Sequence, residues 1–175
     1  MKSNMNLTKR TALDGILAAV ALTLAFLESL IPDIAFLPPG AKLGLSNIAV
    51  MFAVLTVGYI DGLFITVIKS GFVFFTRGLS SFLMSISGGV LSCIVLILIT
   101  HFSKKAKNEF SYTGISVICA VVHNIGQTIT ASIYMNTNLL TGYLPLLILL
   151  GIPAGIVTGV ILKTVIPKLI MITHN

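Results

Sequence analysis

The chain has 175 residues, 56% of them hydrophobic and 9% charged, with a mean hydropathy of +1.05 and a formal net charge of +6. This composition excludes an ordinary water-soluble domain and predicts an all-α integral membrane bundle. At roughly 20 apolar residues per span, about six transmembrane helices fit in a single transmembrane domain.

Residues 1–10 form a polar, basic tail. The first apolar run, 11–31, follows Lys9 and Arg10 as a signal peptide would. Five further runs succeed it and no small-x-small cleavage site precedes a soluble body, so it reads as a retained first helix. Pro32 stops it. Residues 32–42 hold three prolines and a glycine, which predicts an extracellular loop or re-entrant cap. A short second helix covers 43–57, GYIDG turns, and a third helix covers 63–76. Arg77-Gly78 starts the next turn and a fourth helix spans 79–101. Residues 102–112 are a hydrophilic, basic loop. The fifth helix spans 113–135, NTNLLTG turns, and the sixth spans 143–166.

The positive charge is distributed as topology rather than as a nucleic-acid surface. Lys2, Lys9, Arg10, Lys104, Lys105, Lys107, Lys163 and Lys168 share one side, and only Lys42, Lys69 and Arg77 lie elsewhere. Short cytoplasmic loops collect Lys and Arg, so both termini are expected in the cytoplasm of a cell membrane. Cys93 and Cys119 sit singly in apolar helices, without metal-ligand spacing, and read as small buried hydrophobes.

Against that apolar background the polar residues stand out. An ionisable side chain at mid-bilayer costs roughly 2.5–3.5 kcal/mol on insertion scales, so it needs a partner, a wet cavity or a ligand. With the inferred topology, Glu28, Lys42, Asn47, Arg77, Ser85, Ser87 and Gln127 fall in the outer half, and Lys69, His123 and Asn124 near the midplane. Five segments thus converge on one depth, which predicts a pocket open to the outside. His123 and Gln127 share a helical face, with Asn124 beside them and Gly126 leaving space. Lys69 lies mid-helix, where snorkelling is strained, and needs Glu28 or an anionic ligand as partner. Arg77 suits a carboxylate or phosphate, or marks the outer interface. Positives outnumber the lone Glu28, which favours an anionic or zwitterionic solute.

Small residues form a second pattern. Gly151, Gly155 and Gly159 make a ridge on the sixth helix, interrupted by Pro153, of the kind that lets helix backbones approach in lipid. Helix one carries Gly15, Ala19 and Thr23 on one face, and Ala21, Ala25 and Ser29 on another. One face is accounted for by internal packing; the second leaves a surface that can dock another membrane protein. Absences matter too. There is no phosphate-cradling G-x-x-x-x-G-K-[ST] loop, no Asp-rich cluster for magnesium and diphosphate, and no Ser-His-acid set placed by spacing. Neither catalysis nor a cofactor is called for.

Four segments carry a family resemblance: Glu28-Ser-Leu-Ile-Pro32, Pro39-Gly-Ala-Lys-Leu-Gly-Leu-Ser-Asn47, Ser85-Ile-Ser-Gly-Gly89 and His123-Asn-Ile-Gly-Gln127. In order and over about residues 10–168, they resemble the Gx transporter family, also described as heptaprenyl diphosphate synthase component I. That family resembles the substrate-binding S components of energy-coupling factor (ECF) transporters. The resemblance implies a six-helix subunit that binds a vitamin-like solute near the outer face. It implies coupling to a transmembrane partner and paired ATPases, partly through small residues on the first helix.

Two functions are therefore expected to compete. In the first, Glu28, Lys42, Asn47, Lys69, Arg77, Ser85, His123, Asn124 and Gln127 line a solute pocket, with 32–42 as a lid. Gly15, Ala19, Ala21 and Ala25 dock the coupling subunit. In the second, the chain is a non-catalytic membrane partner of an isoprenoid, quinone or flavin-linked enzyme.

Overall fold

The structure, a computed structural model, describes residues 6–30, 44–106, 111–137 and 140–174. The expected Pro-rich loop at 32–42, Lys42 included, lies outside the described residues, as does most of the amino-terminal tail. All regular elements among the described residues are helices: α1 (Leu7–Leu30), α2 (Asn47–Thr56), α3 (Tyr59–Ala106), α4 (Tyr112–Tyr134) and α5 (Leu140–His174).

A straight helix of the 48 residues of α3 would reach about 72 Å, more than twice a bilayer's hydrocarbon core. It does not run straight. Gly78 leaves the helical region at φ 83° and ψ −174°, a conformation open to glycine and strained for residues with a Cβ. The arms, 59–77 and 79–106, fold back on each other about this point. Ser70 Oγ lies 3.2 Å from Ser85 Oγ, and the Phe74 and Phe82 rings meet edge-on at 5.8 Å. A Cβ on Gly89 would come within 2.8 Å of Thr66 Cγ2. These pairs are symmetric about Gly78, which defines an antiparallel hairpin. Six helical segments result among the described residues, against an expectation of about six transmembrane helices. Four runs are long and apolar enough to cross a membrane, because the hairpin counts as one and α2 is short.

α2 has 10 residues, and seven of them are buried, including Val50, Met51, Phe52 and Val54. Its sequence is apolar on every side because α1, α3 and α5 cover it, and an evenly apolar helix belongs in the interior. The core around it takes in Leu17, Ala21, Ile65, Cys93, Leu96, Cys119 and Leu162. Outward-facing positions are equally apolar, with Ile16, Val20, Phe75, Leu98, Ile133 and Val157 exposed. In lipid those side chains need no further cover. The chain is an integral membrane protein.

The glycine ridge of α5 packs against α4. A Cβ at Gly155 would lie 2.7 Å from Val117 Cα and 3.1 Å from Ser116 O, and one at Gly159 would overlap Thr113. Gly88 and Gly126 do the same where α3 crosses α4: a Cβ on Gly126 would meet Gly88 Cα at 2.9 Å. The two small faces of α1 separate cleanly. Ala21 and Ala25 are buried inside the bundle, so the expectation that they dock a partner is corrected: the chain's own packing occupies them. Gly15, Ala19 and Thr23 are exposed, and a Cβ on Gly15 would meet nothing within 4 Å.

Polar contacts clamp α1 at both ends. The Arg10 guanidinium donates to both Asp61 carboxylate oxygens, at 2.9 and 2.8 Å from Nη2, at the start of α3. At the other end Arg77 Nη2 donates to the Glu28 and Ser29 carbonyls, both at 3.1 Å, meeting orphan acceptors of the last turn. α1 thus starts beside the start of α3 and ends beside the hairpin turn. Since Gly159 packs on Thr113, the carboxy-terminal half of α5 returns to the end of the bundle where α1 begins.

The Arg10–Asp61 pair is asymmetric, with side-chain exposures of 43% and 8%. Asp14 adjoins Asp61, and its own Oδ1 is buried without a hydrogen-bond partner. Arg10→Ala leaves the buried Asp61 carboxylate without its cation and is expected to cost about 2–3 kcal/mol. Asp61→Asn leaves a guanidinium that reaches water and is expected to cost about 1 kcal/mol. Unfolding of both variants in the same detergent checks that order; equal losses would contradict it.

Candidate functional site

The site lies in the half of the bundle where α1 ends and the α3 hairpin turns. The polar groups arrive on four elements. Glu28 comes from the last turns of α1, Ser46 and Asn47 from the start of α2, and Lys69, Ser81 and Ser85 from the two arms of α3. His123 and Gln127 come from one face of α4. Glu28, Ser46, Lys69, Ser81, Ser85, His123 and Gln127 line a common cavity, closed by Gly44 and Val73. The enclosed space is about 10 Å³, room for roughly one water molecule. It is far smaller than a solute chamber, because the lining side chains close on one another.

Lys69 is the largest side chain to be fully buried, at 1% exposure. Its Nζ donates to Asn47 Oδ1 and, at 3.3 Å, to Ser46 Oγ. The start of α2 thus offsets the cost of a buried ammonium with neutral oxygens. Glu28 is also buried. Its Oε1 accepts the Leu45 N–H at 2.7 Å, and its Oε2 has no hydrogen-bond partner among the described residues. His123 is wedged between two glycines. A Cβ on Gly44, which adopts φ +79°, would lie 3.2 Å from His123 Cδ2, and one on Gly88 would lie 2.9 Å from Nδ1. His123 Nδ1 is buried without a partner.

Behind the cavity, Asn124 ties α4 to α5. Its Nδ2 donates to the Leu147 carbonyl at 2.6 Å, and its Oδ1 accepts from Gln127 Nε2 at 2.8 Å. Gly151 makes this possible, because a Cβ there would overlap Asn124 Nδ2. Gly151→Ala and Asn124→Ala therefore remove the same bond. Each is expected to cost about 1–2 kcal/mol, and the double variant little more than either. Additive losses in a double-mutant cycle would contradict this.

Of the residues singled out in the sequence, Glu28, Lys69, Ser85, His123 and Gln127 line the cavity together, and Asn47 touches it through Lys69. Asn124 anchors helices instead, and Arg77 binds the carbonyl end of α1 and is not a lining residue. Lys42 lies outside the described residues. Ser46 went unremarked in the sequence although it adjoins Asn47; the signal was a second polar residue at the start of an otherwise apolar helix. Ser81 belongs to the small-residue face of α3, and nothing in its spacing marked it as lining. No group of three His, Cys, Asp or Glu suited to a metal occurs among the described residues.

Residues 17–165 match the family described as heptaprenyl diphosphate synthase component I. The chain belongs to that family. No curated protein matches this family member. Among solved structures it resembles the S component of a bacterial ECF transporter, with a TM-score of 0.56 and 21% identity over 95% of each chain. At that identity the likeness establishes a shared fold, that of a helical membrane bundle.

Proposed function

We propose that this chain is the solute-binding membrane subunit of an ECF-type transporter. The observation that carries the reading is the convergence of Glu28, Lys69, His123 and Gln127, from α1, α3 and α4, on one cavity. Intramembrane polar groups are costly to bury and, where several face one cavity, commonly mark a substrate pathway. The S-component fold supports the same reading. Lys69 and Glu28 supply charge to the site, and His123 and Gln127 orient the solute by hydrogen bonds. The closed cavity must expand to admit it.

The chain itself is non-catalytic, and ATP hydrolysis falls to partner subunits. The exposed strip of Gly15 and Ala19 on α1 is the docking surface for the transmembrane coupling subunit. With Lys and Arg marking the cytoplasmic side, both termini are inside and the cavity lies towards the outside.

Affinity purification of the full chain from its native membranes in mild detergent tests this. Recovery of paired ATPases and a coupling subunit is the expected result. Recovery of a prenyl synthase or flavoprotein with no ATPase overturns it. That outcome would favour the second reading, a membrane partner of such an enzyme, to which the family's description points.

A further inference from the structure

The cavity lining includes one acceptor that the protein's own donors leave unmet. Glu28 is 4% exposed. Its Oε1 accepts the Leu45 N–H, while its buried Oε2 receives no hydrogen bond among the described residues. A carboxylate oxygen buried in that state is costly, and any donor that reaches it removes the cost. The enclosed space is about 10 Å³. One buried water needs roughly that much room, together with a few polar partners.

Size and charge narrow the occupant. The space admits about one non-hydrogen atom, which leaves water or a monatomic ion. A cation would face the Lys69 ammonium and an anion the Glu28 carboxylate, both in the same lining. Repulsion of either kind is strong in a site shut off from solvent. An apolar atom would leave Oε2 unmet. Water is uncharged and brings two O–H donors, one of which goes to Oε2. For the water oxygen the lining offers the hydroxyls of Ser46 and Ser81, 5% and 4% exposed. Each has a hydrogen that rotates to suit. The donors of Lys69 and Gln127 are not called on. The Lys69 ammonium serves Ser46 and Asn47, the Gln127 amide serves Asn124, and both residues have further partners. His123 Nδ1 is also unmet, but it lies against Gly88, outside the lining, and takes no part in the assignment.

We infer that Glu28 Oε2 holds a single buried water, with serine hydroxyls at the start of α2 and on α3 as its other partners. The water belongs to the closed form of the cavity, and it stands whether or not the chain carries a solute. Glu28→Gln is the sharp variant. Its side-chain oxygen still accepts the Leu45 N–H, while a neutral NH₂ replaces the carboxylate oxygen that faces the water.

The test uses the full chain in lipid nanodiscs, brought to low hydration in D₂O or in D₂¹⁸O, with infrared difference spectra reading the O–D stretch of ordered water. Wild type is expected to show a band that shifts with ¹⁸O and lies low in frequency, because hydrogen bonds to a carboxylate are short and strong. Glu28→Gln is expected to move that band to higher frequency, and Glu28→Leu to abolish it. The Gln result stands by itself if the Leu variant fails to fold. Val157→Ala, at an exposed apolar position, is expected to leave the band in place. Absence of the band in wild type overturns the inference, as does a band unmoved by Glu28→Gln. A crystal structure of the full chain reads the occupant directly. One round density peak within about 3.2 Å of Oε2 is expected. An elongated feature, no peak, or an anomalous signal there after soaking with rubidium or bromide overturns the inference. None of these outcomes bears on recovery of the ATPases, so the transporter reading is judged separately.

Discussion

Replacing Gly155 with leucine is expected to destabilise the folded chain by about 3 kcal/mol or more. Its Cβ alone would sit 2.7 Å from Val117 Cα, against backbone that has no flexible end to move aside. The whole of α5 would have to retreat from α4, taking the Asn124 bond to Leu147 with it. Gly15→Leu supplies the control within the same molecule. It adds the same side chain to a helix glycine with nothing within 4 Å, so its cost is expected to stay below about 1 kcal/mol. Unfolding curves in one detergent distinguish the two, and similar losses at both positions would refute the close approach of α4 and α5.

Lys69→Ala is expected to weaken solute binding at least tenfold, about 1.4 kcal/mol, and to destabilise the bundle as well. Ser46 Oγ and Asn47 Oδ1 lose the ammonium they accept from, at about 1–3 kcal/mol for each acceptor left buried and unmet. Lys69→Met separates the two effects. It keeps most of the volume, so packing is largely retained, yet it cannot supply the charge. Native mass spectrometry of the purified chain, reading a retained small molecule, is the measurement. A Lys69→Met protein that retains the molecule as well as wild type would confine Lys69 to a structural role. His123→Ala is expected to weaken retention in the same assay, because the ring fills the gap between Gly44 and Gly88 at the cavity wall.

Helix positions were legible from the sequence to within a few residues. Apolar runs of span length have one stable form in lipid, and Pro32 and the Gly78 turn punctuate them. Boundaries moved where polar residues sit at helix ends. α3 continues to Ala106 into the expected basic loop, and α5 extends to His174. The glycine ridge was likewise readable, since Gly151, Gly155 and Gly159 recur at helical spacing and glycine there has few purposes besides contact.

The roles of individual polar residues were harder to read. Arg77 and Asn124 have the same composition signal as Lys69 and Gln127, yet one holds the end of α1 and the other holds α5. Burial cost identifies a polar group that must have a partner; it does not say whether that partner is a ligand or a carbonyl. Ala21 and Ala25 show the same limit, because small residues suit an internal seam and an external one equally.

The sequence by itself determined that this is a helical membrane bundle, because apolar runs of span length can satisfy their backbone hydrogen bonds in lipid only by coiling into helices. Only the tertiary structure decided which groups meet. That choice depends on the fold-back at Gly78, on the burial of α2 at the centre and on the closeness of α4 to α5, all of which act between segments distant in the chain. Those contacts leave Glu28 Oε2 unmatched and fill the space around it almost completely.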